Sequence, residues 1–265
     1  DMGLTALGQN GVIAFAATTG KERWHILQGQ RCVAPPLVIK NSAVVASVPV
    51  TLKKARITTL TFIDIKTGKS AKTIKFPGVT IYPLAADKQS IFIPTDDGLV
   101  VVPHKSATPS DSIKRCFRGE YIFGVSACKD AAYVNARGFI GAIKTETKTP
   151  KELWRYPTFR TEGGAPLITP VSVINHCGHH LIAIRQREPN EKPATNEELK
   201  QSTRASYDSG YINKQGKRAF KQGFAETEPF FDGIAMVRQN GKRGYIDKKG
   251  QWLIPPIFHD AEYFK

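Results

Sequence analysis

No stretch of this 265-residue chain approaches the ~18–20 consecutive apolar residues of a membrane-spanning helix. Its first residues also lack the basic-then-apolar pattern of a secretory leader. The chain opens at Asp1 rather than at a start methionine, so a processed or trimmed product is expected. No Asn-x-Ser/Thr sequon occurs, and nothing in the sequence signals glycosylation. Cys32, Cys116, Cys128 and Cys177 are far apart and form no Cys-x-x-Cys pair, which removes the usual spacing of structural zinc and covalent haem. Cys116 and Cys128 lie close enough in sequence to pair in an oxidising compartment, or to remain buried thiols. Neither G-x-S-x-G nor a cysteine-protease neighbourhood is present, so nucleophilic hydrolysis lacks a framework. The phosphate-cradling G-x-x-x-x-G-K-[ST] and G-x-G-x-x-G patterns are missing too, and with them a scaffold for nucleotide chemistry.

What is present is positive charge and β-structure. The formal net charge is +15. Residues 1–184 carry 23 Lys/Arg against 12 Asp/Glu, residues 185–203 balance at 4 against 4, and residues 204–265 carry 11 against 7. The excess is spread rather than gathered into a block. Such a field speeds encounter with any acidic partner but does not mark a nucleic-acid site. Hydrophobic residues make up 41% and charged residues 23%, the balance of a folded chain.

The first ~185 residues show short apolar runs broken by turn signals and no helical period. Gly11 to Ala16 reads as a buried strand, Thr19-Gly20-Lys21 as a turn, and Glu22 to Ile26 as the returning strand. Leu60 to Ile65, Thr67-Gly68-Lys69 and Ala71 to Phe76 repeat that form. Further units begin at Asp97, Gly138 and Pro166. The closing aromatics Trp24, Phe76, Phe117 and Trp154 are 52, 41 and 37 residues apart, the length of a four-stranded propeller blade with loop insertions. An irregular β-sandwich is the alternative. Residues 187–204 are polar and charge-balanced without an apolar run, which predicts a linker or a long exposed loop.

Gly210-Tyr211-Ile212-Asn213-Lys214-Gln215-Gly216-Lys217 returns 34 residues later as Gly244-Tyr245-Ile246-Asp247-Lys248-Lys249-Gly250-Gln251. A fixed period of this size marks stacked units, none of which buries its apolar face alone. The second copy continues through Trp252-Leu253-Ile254-Pro255-Pro256-Ile257-Phe258, whereas the first has Arg218 at the Trp252 position and Lys221-Gln222 at the prolines. Pro255-Pro256 is expected to end strand pairing, because proline donates nothing to a ladder.

Two resemblances follow from these residues. Gly11 to Trp24, and less closely Phe62 to Phe76 and Gly138 to Trp154, resemble propeller repeats of the pyrroloquinoline-quinone type, a Gly-led strand followed by Thr-Gly-Lys and a strand ending in Trp. Residues 205–265 resemble the tryptophan–glycine (WG) repeat family, with its Gly-Tyr/Phe-Ile-Asp strand, Lys-x-Gly turn, Ile-Pro-Pro ending and Phe-x-x-Gly-x-Ala-x-Val segment, for which Phe231 to Val237 supplies the remainder. The resemblances imply an all-β fold: a propeller-like domain of four-stranded blades over 1–186, complete or finished by other strands, the polar linker over 187–204, and WG-repeat β-hairpins over 205–265. The quinone-dependent dehydrogenases of the first family need about eight blades, a calcium site and usually a Cys-Cys pair. Four to five units are visible here, and no vicinal cysteines.

Asn175-His176-Cys177-Gly178-His179-His180 is the densest set of metal-ligand types. His176, Cys177, His179 and His180 form the candidate metal site, although neighbouring strand residues point to opposite faces and a decorated hairpin turn explains them better. Tyr245, Trp252, Phe258, Tyr263 and Phe264 supply apolar mass for an adjoining surface and form the candidate interaction site. The favoured reading is a non-enzymatic protein-binding or scaffold subunit without a cofactor, part of a larger assembly whose other protein subunits cover its open edges. A basic adaptor for nucleic acid or an anionic membrane surface is the first alternative, and a metal-binding or hydrolytic enzyme the second. Both repeat families are frequent in exported bacterial proteins, which implies an extracytoplasmic (periplasmic or secreted) location.

Overall fold

The computed structural model describes residues 2–32, 34–49, 56–80, 82–104, 113–128, 130–145, 150–157, 182–184 and 209–260. These residues are strands and turns, with one short 3-10 turn at Gly8–Asn10. No helix among them is long and apolar enough to cross a membrane. The contact pattern divides the chain into two compact units, residues 1–136 with 143–152 and residues 137–142 with 153–265. The expected linker at 187–204 lies outside the described residues.

The first unit opens with β1 (Met2–Ala6), β2 (Val12–Ala16) and β3 (Glu22–Ile26), an antiparallel sheet in that order. The second sheet contains β4 (Gln30–Cys32), β5 (Leu37–Ile39), β6 (Ser42–Pro49), β7 (Ile57–Asp64) and β8 (Ser70–Pro77). Its order is β4-β6-β7-β8, with β5 also paired to β6. The third, β12-β11-β10-β9, is built from β9 (Ala85–Ala86), β10 (Ser90–Thr95), β11 (Gly98–Pro103) and β12 (Lys114–Cys116). A fourth sheet, β13-β14-β15-β16, comprises β13 (Ile122–Ala127), β14 (Ala131–Ala136), β15 (Phe139–Lys144) and β16 (Lys151–Pro157). The second unit continues with the pair β17 (Ile182–Ile184) and β18 (Gly210–Ile212). Its last sheet, β19-β20-β21-β22, is formed by β19 (Glu226–Thr227), β20 (Ile234–Gln239), β21 (Lys242–Asp247) and β22 (Trp252–Phe258). Four-stranded antiparallel sheets joined by short turns are the blades of a propeller-like fold.

The apolar run in β6 explains why the sheets stack. Successive strand residues face opposite ways, and a strand covered on both faces reads as continuously hydrophobic. Ala43 and Val45 pack with Val12, Cys32 and Ile63, against Leu4, Trp24 and Ile26 of the first sheet. Val44 and Ala46 face the other way, into a core with Leu60, Ile74 and Phe76 that also takes Ile91, Ile93, Val100 and Val102 of the third sheet. Both faces of the second sheet are therefore interior.

Stacked sheets slide unless something sets their offset, and here a side chain does. Trp24 leaves β3 and lies on the turn after β7, where its indole N–H donates to the Ile65 carbonyl at 2.8 Å. The turn accommodates the ring because Gly68 has φ +72° and no side chain; a Cβ there would come within 2.7 Å of Trp24 Cγ. Asp64 holds the turn open for docking. Its Oδ1 accepts from the Thr67 N–H and hydroxyl, both at 2.8 Å, and these bonds draw its carboxyl below the usual range.

Gly20 occupies the equivalent turn of the first sheet at φ +68°, but no atom of the described residues lies within 4 Å of where its Cβ would be. Gly20→Ala is expected to cost about 1–2 kcal/mol, the penalty of a left-handed backbone on an L-residue. Gly68→Ala adds about 1–3 kcal/mol for the clash with the indole. Equilibrium urea denaturation of the two variants measures the difference, and equal costs would show that Trp24 does not load this turn.

Candidate interaction surface

The second unit repeats the docking geometry with different residues. Asn213 caps the turn after β18: its Oδ1 accepts from the Gln215 and Lys217 N–H groups, each at 3.0 Å. Asp247 does the same after β21, accepting from Lys249 at 2.9 Å and Gln251 at 2.8 Å. Short side chains that bond the backbone two and four residues on are what make Asn and Asp turn formers. Trp154 of β16 rests on the first of these turns, donating to the Lys214 carbonyl at 2.7 Å. A Cβ on Gly216 would come within 2.5 Å of its ring. Phe220 rests on the second turn, where a Cβ on Gly250 would come within 2.8 Å. The 34-residue period is thus the spacing between one turn and the next.

Trp252 explains the rest of the repeat signature. Its ring covers Gly244, whose added Cβ would meet Trp252 Cζ3 at 2.8 Å and the Ile254 carbonyl at 2.7 Å. In the first copy Arg218 takes this role, its guanidinium 3.0 Å from the corresponding position on Gly210. Pro255-Pro256 does not end β22, contrary to the expectation from sequence. The strand pairs Tyr245 with Ile254 and Arg243 with Phe258, so two additional residues bulge between those pairs. An edge strand tolerates this because proline's missing N–H falls outside the ladder.

The bulged edge carries the exposed apolar surface. Among the described residues β22 pairs only with β21. Alternation turns Trp252, Ile254 and Pro256 partly inward, while Leu253 is 52% exposed, Ile257 55% and Phe258 39%. Of the residues selected from sequence, Phe258 lies on this surface. Trp252 is half-buried, edge-on to Phe224 with ring centroids 6.0 Å apart. Tyr245 is buried. Tyr263 and Phe264 lie outside the described residues, as do His176, Cys177, His179 and His180. Among the described residues no group of three or more His, Cys, Asp or Glu side chains is placed to hold a metal ion. Leu253 and Ile257 were legible only as strand residues, since which face of β22 is covered depends on its register.

The core beneath this sheet is aromatic: Tyr211, Phe224 and Phe230 pack with Ala235, Val237 and Ile246. The Tyr211 hydroxyl is satisfied by donating to the Glu228 carbonyl at 2.7 Å, and burial drives its pKa well above the usual tyrosine range. Cys116 and Cys128 are buried and not joined in a disulfide. Burial pushes the Cys32 thiol up to about 11, and burial with the Glu152 charge nearby does the same at Cys116. A thiol so shifted is protonated at neutral pH and a poor nucleophile.

Sheets of this order, docked through aromatic-on-glycine turns, define a β-repeat protein with propeller-type blades. The family model described as WG containing repeat matches residues 210–242 and 244–265, and these two segments are WG repeats. No curated protein matches the chain in sequence. Solved structures do match in fold. BamB from Moraxella catarrhalis superposes with a TM-score of 0.52 at 16% identity, over 92% of this chain and 67% of that one. The computationally designed protein Ika8 gives 0.57 at 13%, over 94% and 69%. The dihydro-heme d1 dehydrogenase NirN gives 0.54 at 10%, over 94% of this chain and 51% of its own length. At these identities the likeness is one of fold.

Gly244→Ala is expected to destabilise the chain by about 1–3 kcal/mol, because both Trp252 and the proline bulge occupy the space of a Cβ. Urea denaturation monitored by tryptophan fluorescence reports it. Iodoacetamide at neutral pH is expected to leave Cys32 and Cys116 unmodified in the native chain and to label both in urea. Rapid native labelling of either, read by peptide mass spectrometry, contradicts their placement.

Proposed function

We propose that this chain is a non-enzymatic protein-binding or scaffold subunit of a larger assembly, composed of propeller-type blades over about 1–186 and WG repeats over about 205–265. The observation that carries the reading is the exposed edge of β22, with Leu253, Ile257 and Phe258 in one short strand. Scattered surface hydrophobics need no explanation, but three on one edge that no described strand pairs favour a covered surface. The prolines shape how it is covered. With Pro255 and Pro256 in the middle, an incoming strand finds no continuous row of N–H donors, so contact is through side chains rather than an extended ladder. The partners are other protein subunits, and no cofactor enters this reading. An extracytoplasmic setting accords with the exported proteins that these repeats resemble.

A second reading, a basic adaptor for nucleic acid or anionic lipid, draws on the charge of +15. Phosphate contacts release counterions and weaken steeply with salt, whereas an apolar side-chain interface does not. Purification of the native complex in several hundred millimolar salt, followed by native mass spectrometry, separates the two. The expected result is a protein partner held at fixed stoichiometry and released by Leu253→Lys with Ile257→Lys, variants that leave the thermal midpoint unchanged. A chain recovered alone, or with nucleic acid lost on salt addition, overturns the proposal.

A further inference from the structure

The two repeat systems meet where β17 pairs with β18, and the register of that pair is the register of the last sheet. There β20 pairs Val237 with Gly244, Met236 with Tyr245 and Ala235 with Ile246 of β21. One 34-residue period earlier, β17 pairs Ile184 with Gly210, Ala183 with Tyr211 and Ile182 with Ile212 of β18. The other side of β18 agrees. Its bridges Ile212 to Arg218 and Ser209 to Phe224 lie one period before the pairs Ile246 to Trp252 and Arg243 to Phe258. Ile182–Ile184 therefore stands to the first WG copy as Ala235–Val237 stands to the second. The WG unit is also out of phase with the sheets: residues 210–224 finish one, and β19 and β20 open the next, which β21 and β22 finish. The first copy thus needs a sheet already opened, and a strand outside the WG match provides it. The completed WG sheet has the form of the third sheet. β9 and β19 have two residues each, β10, β11, β20 and β21 have six, and both central hairpins turn over two residues, Asp96-Asp97 and Asn240-Gly241.

We propose that the WG repeats are further blades of the propeller-type series, and that one blade is built jointly by both repeat systems. Residues 185–209 are then an insertion in the central hairpin of that shared blade, not a tether between two domains. The inference goes beyond the scaffold reading and does not rest on it, since no partner enters it. In the second copy the six residues Arg238 to Arg243 join the strands between Val237 and Gly244. At the same junction in the first copy, the 25 residues 185–209 join Ile184 to Gly210. Paired residues of antiparallel strands sit about 5 Å apart, so a short turn is enough to connect them. A longer excursion adds closure entropy only with the logarithm of its length, so a polar insertion destabilises the sheet little. Its even charge and lack of apolar runs suit a segment that no core has to cover. The WG segment is not, on this reading, a module free to swing on a linker, and a partner at the β22 edge meets a blade of the series.

The test shortens the connection within the full chain. Residues 185–208 are replaced by the sequence of Arg238 to Lys242, which restores the length found in the second copy and keeps Ser209 in its bridge to Phe224. The expected result is a folded chain whose thermal midpoint equals or exceeds that of the parent, because a shorter loop loses less entropy on closure. A midpoint lower by more than ~10 °C, or a chain that does not fold, overturns the proposal, since a tether between separate domains cannot be closed to a tight turn without displacing one of them. Hydrogen exchange on the parent chain gives a reading that needs no variant. Slow amides are expected in Ile182–Ile184 and Gly210–Ile212 alike, and fast exchange throughout β17 beside slow exchange in β18 overturns the pairing on which the blade depends. A site-specific protease sequence inserted between Thr195 and Asn196 adds a third. After complete cleavage the two pieces are expected to remain one 1:1 species in native mass spectrometry, and their separation without denaturant sinks the shared blade.

Discussion

An aromatic ring set on the glycine of a neighbouring turn is the contact on which the rest of this structure depends. Each sheet is apolar on faces that it cannot cover alone, so units must stack. Hydrophobic burial drives the stacking but has no direction, and two flat apolar faces can meet at many offsets. The docked ring removes that freedom. It needs a glycine beneath it, a carbonyl at the right distance and a turn stiff enough to keep both in place. Trp24 meets these conditions with its indole N–H 2.8 Å from the Ile65 carbonyl, and Trp154 meets them with 2.7 Å to Lys214. Backbone conformation, side-chain hydrogen bonding and packing are satisfied at one point, and a change to any of them is felt by the other two.

This device unites two repeat types that look different in sequence. The Thr-Gly-Lys turn at Gly68 and the Asn-Lys-Gln-Gly turn at Gly216 place their carboxylate or amide caps differently, yet each offers a carbonyl one residue past the cap to the incoming indole. The WG repeats add a second side-chain-on-glycine contact inside each unit, with the Trp252 ring over Gly244 or the Arg218 guanidinium over Gly210. That internal contact makes the glycine within β21 indispensable for a reason unlike that of the turn glycines. Its backbone is not left-handed; it is simply pressed by a ring from one side and by the bulged prolines from the other. Among the described residues, the surface left over after these contacts form is the apolar edge of β22.

Much of the architecture was legible because β-repeats write their physics locally. Strand alternation, the Gly-containing turns and the 34-residue period each depend on neighbouring residues and are visible without coordinates. Aromatics spaced from Trp24 to Trp154 marked the units for the same reason. The surface was harder to read. Tyr245 and Trp252 both looked like apolar mass for a partner, but Tyr245 is interior and Trp252 is half-buried against Phe224. Leu253 and Ile257 passed as ordinary strand residues although they are more exposed than either. The prolines suggested a strand end and turned out to be a bulge within an edge strand, because a ladder with only one partner leaves the missing N–H without consequence.

The sequence by itself determined that this is a β-repeat protein with two kinds of unit, since turn chemistry and hydrophobic period are properties of short segments. Tertiary structure alone decided which glycine receives which ring, because Trp24 and Gly68, or Trp154 and Gly216, are brought together by stacking and not by spacing along the chain. It also decided which residues of β22 stay exposed. Those are properties of what packs against a segment, and no segment carries that information within itself.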